Sequence, residues 1–210
     1  MKCFITPSVP FAERRIIKLK ELKDMSLEEL WQLFPIILQK HNPDYRAWYD
    51  EEKESLPHIL CGYNICRINH IGSTSVAGLI AKPIVDILLE LPEGYDMNAV
   101  THLLQSNDWI LMQKDDEQGT LDLNKGYTPS GFAKKVYHLH VKPLGDWGEL
   151  YFRDYLRQNS DVARQYETLK LNLMKQFEHN RDAYTNAKSA FIMENTQKAR
   201  EEYAGRYFPH

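Results

Sequence analysis

The sequence predicts an α+β fold in which a small mixed β-sheet is covered by helices on one side and a helical hairpin closes the C-terminal end. Three observations carry that prediction. Helical spacing of apolar residues dominates up to about residue 60 and again from Glu149 nearly to the end, while the middle alternates short apolar runs with polar turns. The runs on either side of Gly72 to Gly78 read as buried strands joined by a βαβ-like turn. A regular doubly wound sheet is disfavoured, because helices and strands alternate too sparsely and Gly72-Ser73 lacks the further glycines of a dinucleotide fingerprint. A single domain accommodates all 210 residues: an N-terminal helical extension over about 1–42, a sheet core over about 43–145 and a helical region over about 146–210.

Residues 1–24 begin with Pro7 and Pro10 and become the charged run FAERRIIKLKELKD, which reads equally as helix or strand. At MSLEELWQLF the signal sharpens. Ser26 caps a helix with Glu29 as its capping-box partner, and Met25 with Leu30 supplies a hydrophobic staple. Asn42-Pro43 ends that pattern and opens a helix whose Tyr45, Trp48, Tyr49, Leu56 and Ile59 fall at spacings of three and four, with Glu52 read as a charge at its edge. Ala99 to Leu104 continues a helical pattern that Asn107-Asp108 stops. Strands follow over 109–113, 120–127 and 135–142, with KDDEQGT as a hairpin tip or loop. In the tail, a cap at Ser160 precedes the stripe Val162, Tyr166, Leu169, Leu173 and Phe177. A second helix begins near Arg181 or Asp182 and turns Tyr184, Ala187, Lys188, Phe191 and Ile192 to one side.

Composition narrows the function classes. With 29 acidic against 26 basic residues there is no bulk electrostatic footprint for nucleic acid. No apolar run reaches the length of a membrane span, and the first fifteen residues lack the apolar core of a signal peptide. Cys3, Cys61 and Cys66 are odd in number and follow no metal-like spacing, so free thiols in a reducing cytoplasm are expected.

The chemistry centres on Arg67 to Leu91, RINHIGSTSVAGLIAKPIVDILLEL. Asp86 lies inside a series of Ile, Val and Leu, where a carboxylate costs several kcal/mol to desolvate unless it is paired, hydrogen-bonded or bound to a cation. Asp86, Leu88 and Glu90 share one strand face, and Glu90, just before Pro92, is expected at an exposed strand end. Gly72, Ser73, Thr74 and Ser75 offer backbone N–H groups and hydroxyls to an anion, although the same residues make a tight strand connection. Lys82 precedes the second strand, where it either meets a phosphate or faces solvent. In VYHLHVKP, His138 and His140 share a face, followed by Lys142; such a pair binds a metal, moves a proton, contacts phosphate or simply holds structure. His70 adds an imidazole near the turn. Arg153 and Arg157, with Asp154 beside them, and Tyr184 with Lys188, are tail residues able to clamp an anion or to pair within the protein.

At HIGSTSVAGLIAKPIVDILLEL the chain resembles the GrpB family, bacterial proteins assigned to the nucleotidyltransferase superfamily. The resemblance continues through KGYTPSGFAKKVYHLHV, ELYFRDYLRQNSDVARQYETLK and NRDAYTNAKSAFI, over roughly residues 43–195. It implies a nucleotidyltransferase-like fold, with Gly72 and Ser73 at the superfamily's Gly-Ser signature and Asp86 at its first carboxylate. A domain of this family is fused in some bacteria to dephospho-coenzyme A kinase, which points to nucleotide or coenzyme chemistry. The second carboxylate of active superfamily members falls here on Leu88, and the third position falls near His138 or His140. The resemblance thus leaves two expectations. One is an enzyme moving a nucleotidyl or phosphoryl group to an acceptor, with Asp86, His138 and His140 catalytic and holding Mg²⁺ or Mn²⁺, and Gly72, Ser73, Thr74, Lys82, Arg153 and Lys188 holding the nucleotide or other phosphate-bearing molecule. The other is a module that binds such a ligand without transferring it.

Overall fold

The computed structural model describes residues 20–209. The stretch with Pro7 and Pro10 lies outside them, and only a single 3₁₀ turn, Leu22–Asp24, falls in the end of the charged run. Helix α1 (Leu27–Leu33) starts where its box predicts: the Glu29 N–H donates to Ser26 Oγ at 3.2 Å and the Ser26 N–H to Glu29 Oε2 at 2.6 Å. Helix α2 (Asp44–Ile59) follows Asn42-Pro43 and buries Tyr45, Tyr49 and Leu56. Glu52 is buried on that same row and pairs with Lys125 at 2.7 Å, so it is no edge charge.

Strands β1 (Arg67–Ile71) and β2 (Val85–Leu91) enclose the Gly-Ser turn, then come α3 (Met97–Gln105), β3 (Ile110–Asp115), β4 (Thr120–Thr128) and β5 (Gly131–Pro143). They form one sheet in the order β1-β2-β5-β4-β3. The turn is not βαβ-like, because β1 and β2 are antiparallel; β2 instead runs parallel to β5, and this one parallel pair makes the sheet mixed. β5 is longer than its apolar core, since the hairpin to β4 closes at Thr128 and Gly131. Gly126, at φ +88°, sits at the register shift between Lys125 and Tyr127, where a Cβ would come within 3.1 Å of Val136 Cα.

Alternation along β2 decides what lies on each face. Val85, Ile87, Leu89 and Leu91 join Leu139, Val141, Leu121 and Leu123 in the main core beneath α2 and α3. Asp86, Leu88 and Glu90 face the other way. That face is also partly covered, because Leu88 and Ile71 pack on Leu150 of α4 (Gly148–Gln158) with Trp147 and Tyr207. Glu90 is fully buried there and not exposed: Arg67 Nε donates to its Oε2 at 2.8 Å and the Gly145 N–H to its Oε1 at 3.2 Å. A buried acid survives because a bidentate arginine replaces its hydration.

The tail continues as α5 (Ser160–Phe177), α6 (Arg181–Ala187) and α7 (Ser189–Glu202). Asn159 rather than Ser160 stands at the N-cap of α5. The second arm of the expected hairpin is two helices, divided at Lys188. Ile36, from the N-terminal extension, packs with Leu173 of α5 and Tyr184 of α6, and its N–H donates to Glu178 O at 2.8 Å. No helix among the described residues is long and apolar enough to cross a membrane.

Candidate functional site

A cleft of about 830 Å³ opens between the Asp86 face of the sheet and the tail helices. Its floor is the Gly-Ser turn. Gly72 takes φ +68°, and a Cβ built there would lie 2.9 Å from Asp86 Cγ and closer still to Oδ2. The carboxylate therefore rests on the glycine backbone, a close approach that only glycine permits. Ser73 to Ser75 form one 3₁₀ turn, tied by Ser75 Oγ donating to Gly72 O at 2.6 Å.

Thr74 is not free for a ligand. Its hydroxyl is buried, donates to Ile84 O at 3.0 Å and so accepts from His70 Nε2 at 3.1 Å. His70 stacks on Tyr49 at 4.8 Å, and burial above all pushes its imidazole down to about 4, which keeps it neutral. Both residues brace the turn from below.

Asp86 pairs across the parallel register with His138, whose Nδ1 lies 3.0 Å from Asp86 Oδ1. Burial works to raise the Asp86 carboxyl; the His138 hydrogen bond and the nearby His140 and Lys82 charges outweigh it, so the group sits below its ordinary value. The other His138 nitrogen lies 2.8 Å from the hydroxyl of Tyr127, which in turn accepts from Arg181 at 2.9 Å. Guanidinium donates only and an ionised carboxylate accepts only, so with a neutral imidazole one proton arrangement fits: Arg181 to Tyr127, Tyr127 to His138 Nε2, and His138 Nδ1 to Asp86. Burial, more than Asp86 can offset, lowers the His138 imidazole and agrees with its neutral form. His140 behaves differently. Its Nδ1 lies 2.6 Å from Asp122 Oδ1 on β4, and this bond, with the charge of Asp122, overcomes burial and raises the imidazole.

These partners bear on the expected metal. Both His138 nitrogens are engaged, His140 turns one nitrogen to Asp122, and among the described residues no three His, Cys, Asp or Glu side chains are placed to hold an ion. The donor set as arranged does not fit a resident Mg²⁺ or Mn²⁺ held by Asp86, His138 and His140.

Cations line the opposite wall instead. Lys170 of α5 is buried, donates to Ser73 Oγ at 3.1 Å and to Ile80 O, and stands 4.7 Å over the Tyr166 ring. Lys82 and Lys188 share the Tyr184 ring, at 5.8 and 4.5 Å from its centroid. Burial pushes Lys170 and Lys82 down to about 7 and Lys188 to about 8; like charges add to the shift in each case. Arg181 completes the group, lying over Tyr127 at 5.5 Å. Lys82 is thus a cleft residue and not a solvated strand start.

Arg153 reaches the cleft wall with its guanidinium already committed. It donates to Asp154 at 2.8 Å, Asn69 at 3.2 Å, His70 O at 3.1 Å and the Tyr207 hydroxyl at 2.9 Å, fastening α4 to β1. Arg157 is likewise spent on Ser75 O at 2.9 Å. Sequence reading singled out Gly72, Ser73, Asp86, Lys82, Lys188 and both histidines, which the fold brings together, and it missed Lys170, Arg181, Tyr127 and Asp122. A signal existed for Lys170 alone: it falls four residues after Tyr166 and three before Leu173, inside the apolar row of α5.

The family model for GrpB protein matches residues 35–198. The chain belongs to the GrpB family. GrpB from Enterococcus faecalis has a crystal structure similar to this fold, at a TM-score of 0.69 and 30% identity over 80% of this chain and 99% of that one. Glutamate-rich protein GrpB of Alkalihalophilus pseudofirmus is 32% identical over 76% of this chain and 92% of its own length. UPF0157 protein YqkA of Bacillus subtilis is 27% identical over 93% of this chain but only 56% of its own length, so the chain spans little more than half of that relative. A looser likeness to the Cid1 poly(U) polymerase, at a TM-score of 0.44 and 10% identity, says nothing about this site.

Proposed function

We propose that this GrpB-family chain is a cytoplasmic transferase that moves a nucleotidyl or phosphoryl group from a phosphate-bearing donor to an acceptor hydroxyl. The observation that carries the reading is Asp86, an ionised carboxylate resting on Gly72 and facing a wall of lysines. The donor's phosphates lie along Ser73, Lys82, Lys170, Lys188 and Arg181. The acceptor hydroxyl hydrogen-bonds to the Asp86 oxygen that His138 leaves free. As the new O–P bond forms, the bond to the departing phosphate breaks, the hydroxyl proton passes to Asp86, and the cations stabilise the charge on the leaving group. Little base strength is needed, because phosphoryl transfer passes through a loose transition state and depends on positioning and charge. Cys61 and Cys66 as free thiols support the cytoplasmic setting.

Asp86→Asn tests the reading. Its amide keeps the shape and a hydrogen bond to His138 but removes the charge, so turnover of radiolabelled nucleoside triphosphates should disappear while the melting temperature stays within about 4 °C. Undiminished turnover in that variant would refute it. Leu88, a buried apolar side chain two residues after Asp86 where active superfamily members carry a second carboxylate, favours one other reading: a module that binds the same donor without transferring it. That reading expects binding in both proteins and product in neither.

A further inference from the structure

The cleft concentrates positive charge where a two-carboxylate site would concentrate negative charge. Lys82 enters from the loop before β2, Lys170 from α5, Lys188 from the α6–α7 junction and Arg181 from the start of α6. Their surroundings leave that charge largely uncompensated. Asp86 faces Lys82 and Lys188, and Glu167 faces Lys170, while Arg181, Lys188 and Lys170 oppose Lys82, Lys188 opposes Lys170 and Arg181 opposes Lys188. The remaining acids of the wall are occupied or peripheral: Glu149 pairs with Lys142 at 2.6 Å, and Asp182 is exposed on α6. Among the described residues, neither Lys82 Nζ nor Lys188 Nζ has a hydrogen-bond or salt-bridge partner; each is held only over Tyr184. Crowded ammonium groups without anions cost the folded protein stability, and an incoming polyanion removes that cost.

We propose that the cleft binds a chain of linked phosphates as the free polyanion, with Lys82, Lys170, Lys188 and Arg181 neutralising it in place of divalent ions. The proposal rests on the phosphate-donor reading above and departs from its metal-dependent form. A divalent cation on the ligand would withdraw phosphate oxygens from the lysines and bring another positive charge into a cationic wall, so it competes with binding. Inorganic polyphosphates and nucleoside triphosphates share the chemistry.

The experiment is calorimetric titration at pH 7 with inorganic tripolyphosphate and with ATP, each in EDTA and in excess Mg²⁺. Both should bind in EDTA, and Mg²⁺ should weaken each by at least about tenfold. A Lys82→Met, Lys188→Met double variant, which breaks no hydrogen bond and should stay folded by circular dichroism, should lose about a hundredfold in affinity for tripolyphosphate. Equal affinities would assign the site to the phosphate chain alone, and tighter ATP binding would assign it to a nucleotide; both support the proposal. Binding that requires Mg²⁺, ATP binding without tripolyphosphate binding, full affinity in the folded double variant, or no binding would each overturn it. Mg²⁺-dependent ATP binding with turnover would end this proposal and leave the transferase standing. Metal-free binding with no product would do the reverse.

Discussion

At Gly72 a backbone and a carboxylate compete for one volume. Gly72→Ala would drive a methyl into Asp86 at a backbone angle that L-residues rarely adopt, so it should cost about 1–3 kcal/mol in urea unfolding and displace Asp86 from His138. A variant of unchanged stability, with Asp86 still at His138, would show that the turn relaxes freely. This residue-level conflict is also why the site was partly legible. A glycine beside small hydroxyl residues and an aspartate in an apolar run both break local expectation, and each break had a cause. Tyr127, Arg181 and Asp122 break nothing. Each is an ordinary member of its strand or helix; only the β4–β5 register sets Tyr127 and Asp122 against imidazoles, and only the fold-back of α6 brings Arg181 to the Tyr127 hydroxyl.

Among the elements, the tail shows where sequence pattern stops. Nothing between Arg181 and Glu202 contains glycine or proline, so one helix was the natural reading, yet the chain breaks at Lys188. The two segments serve different clusters. Tyr184 of α6 packs with Ile36 and Leu173, while Phe191 and Ile192 of α7 pack toward Tyr166 and Val76. A tertiary demand of that kind overrides helix propensity. The same logic assigns Arg153 to the joint between α4 and β1. Arg153→Met strips donors from His70 O, Asn69 and Tyr207 and leaves Asp154 short of a partner, so it should cost about 3–5 kcal/mol in thermal or urea unfolding. Tripolyphosphate affinity of the folded variant should stay within about threefold of wild type. Intact stability with lost affinity would return Arg153 to the ligand.

Across the whole molecule the formal charge is −3, while the cleft gathers cations, and stability against pH should report that separation. Lys82, Lys170 and Lys188 titrate at about 7, 7 and 8 in the folded protein and near 10.4 in the unfolded chain. Between those values the unfolded state binds more protons, so stability rises with pH over that window and is lowest below it. Acidic groups and His70 slope the same way at lower pH. Asp86, Asp122 and Glu149 are depressed and lose their contribution as pH falls through their folded values, and His70, at about 4, must be charged to unfold below 6.5. His140, which is raised, opposes them near neutrality. Buried tyrosines such as Tyr166 and Tyr184 are raised and set the alkaline limit, since the unfolded chain releases their protons from about pH 10. The optimum should therefore fall near pH 9 to 10, above the range of about 5 to 8 in which most proteins are most stable. Urea midpoints measured from about pH 6.5 to 9.5 should climb in the wild type and flatten in the Lys82→Met, Lys188→Met variant. A wild-type curve with no climb would mean that the three lysines keep their ordinary affinity for protons. Saturating tripolyphosphate should flatten the wild-type curve as well, because the bound anion returns to the lysines the protons that folding took from them.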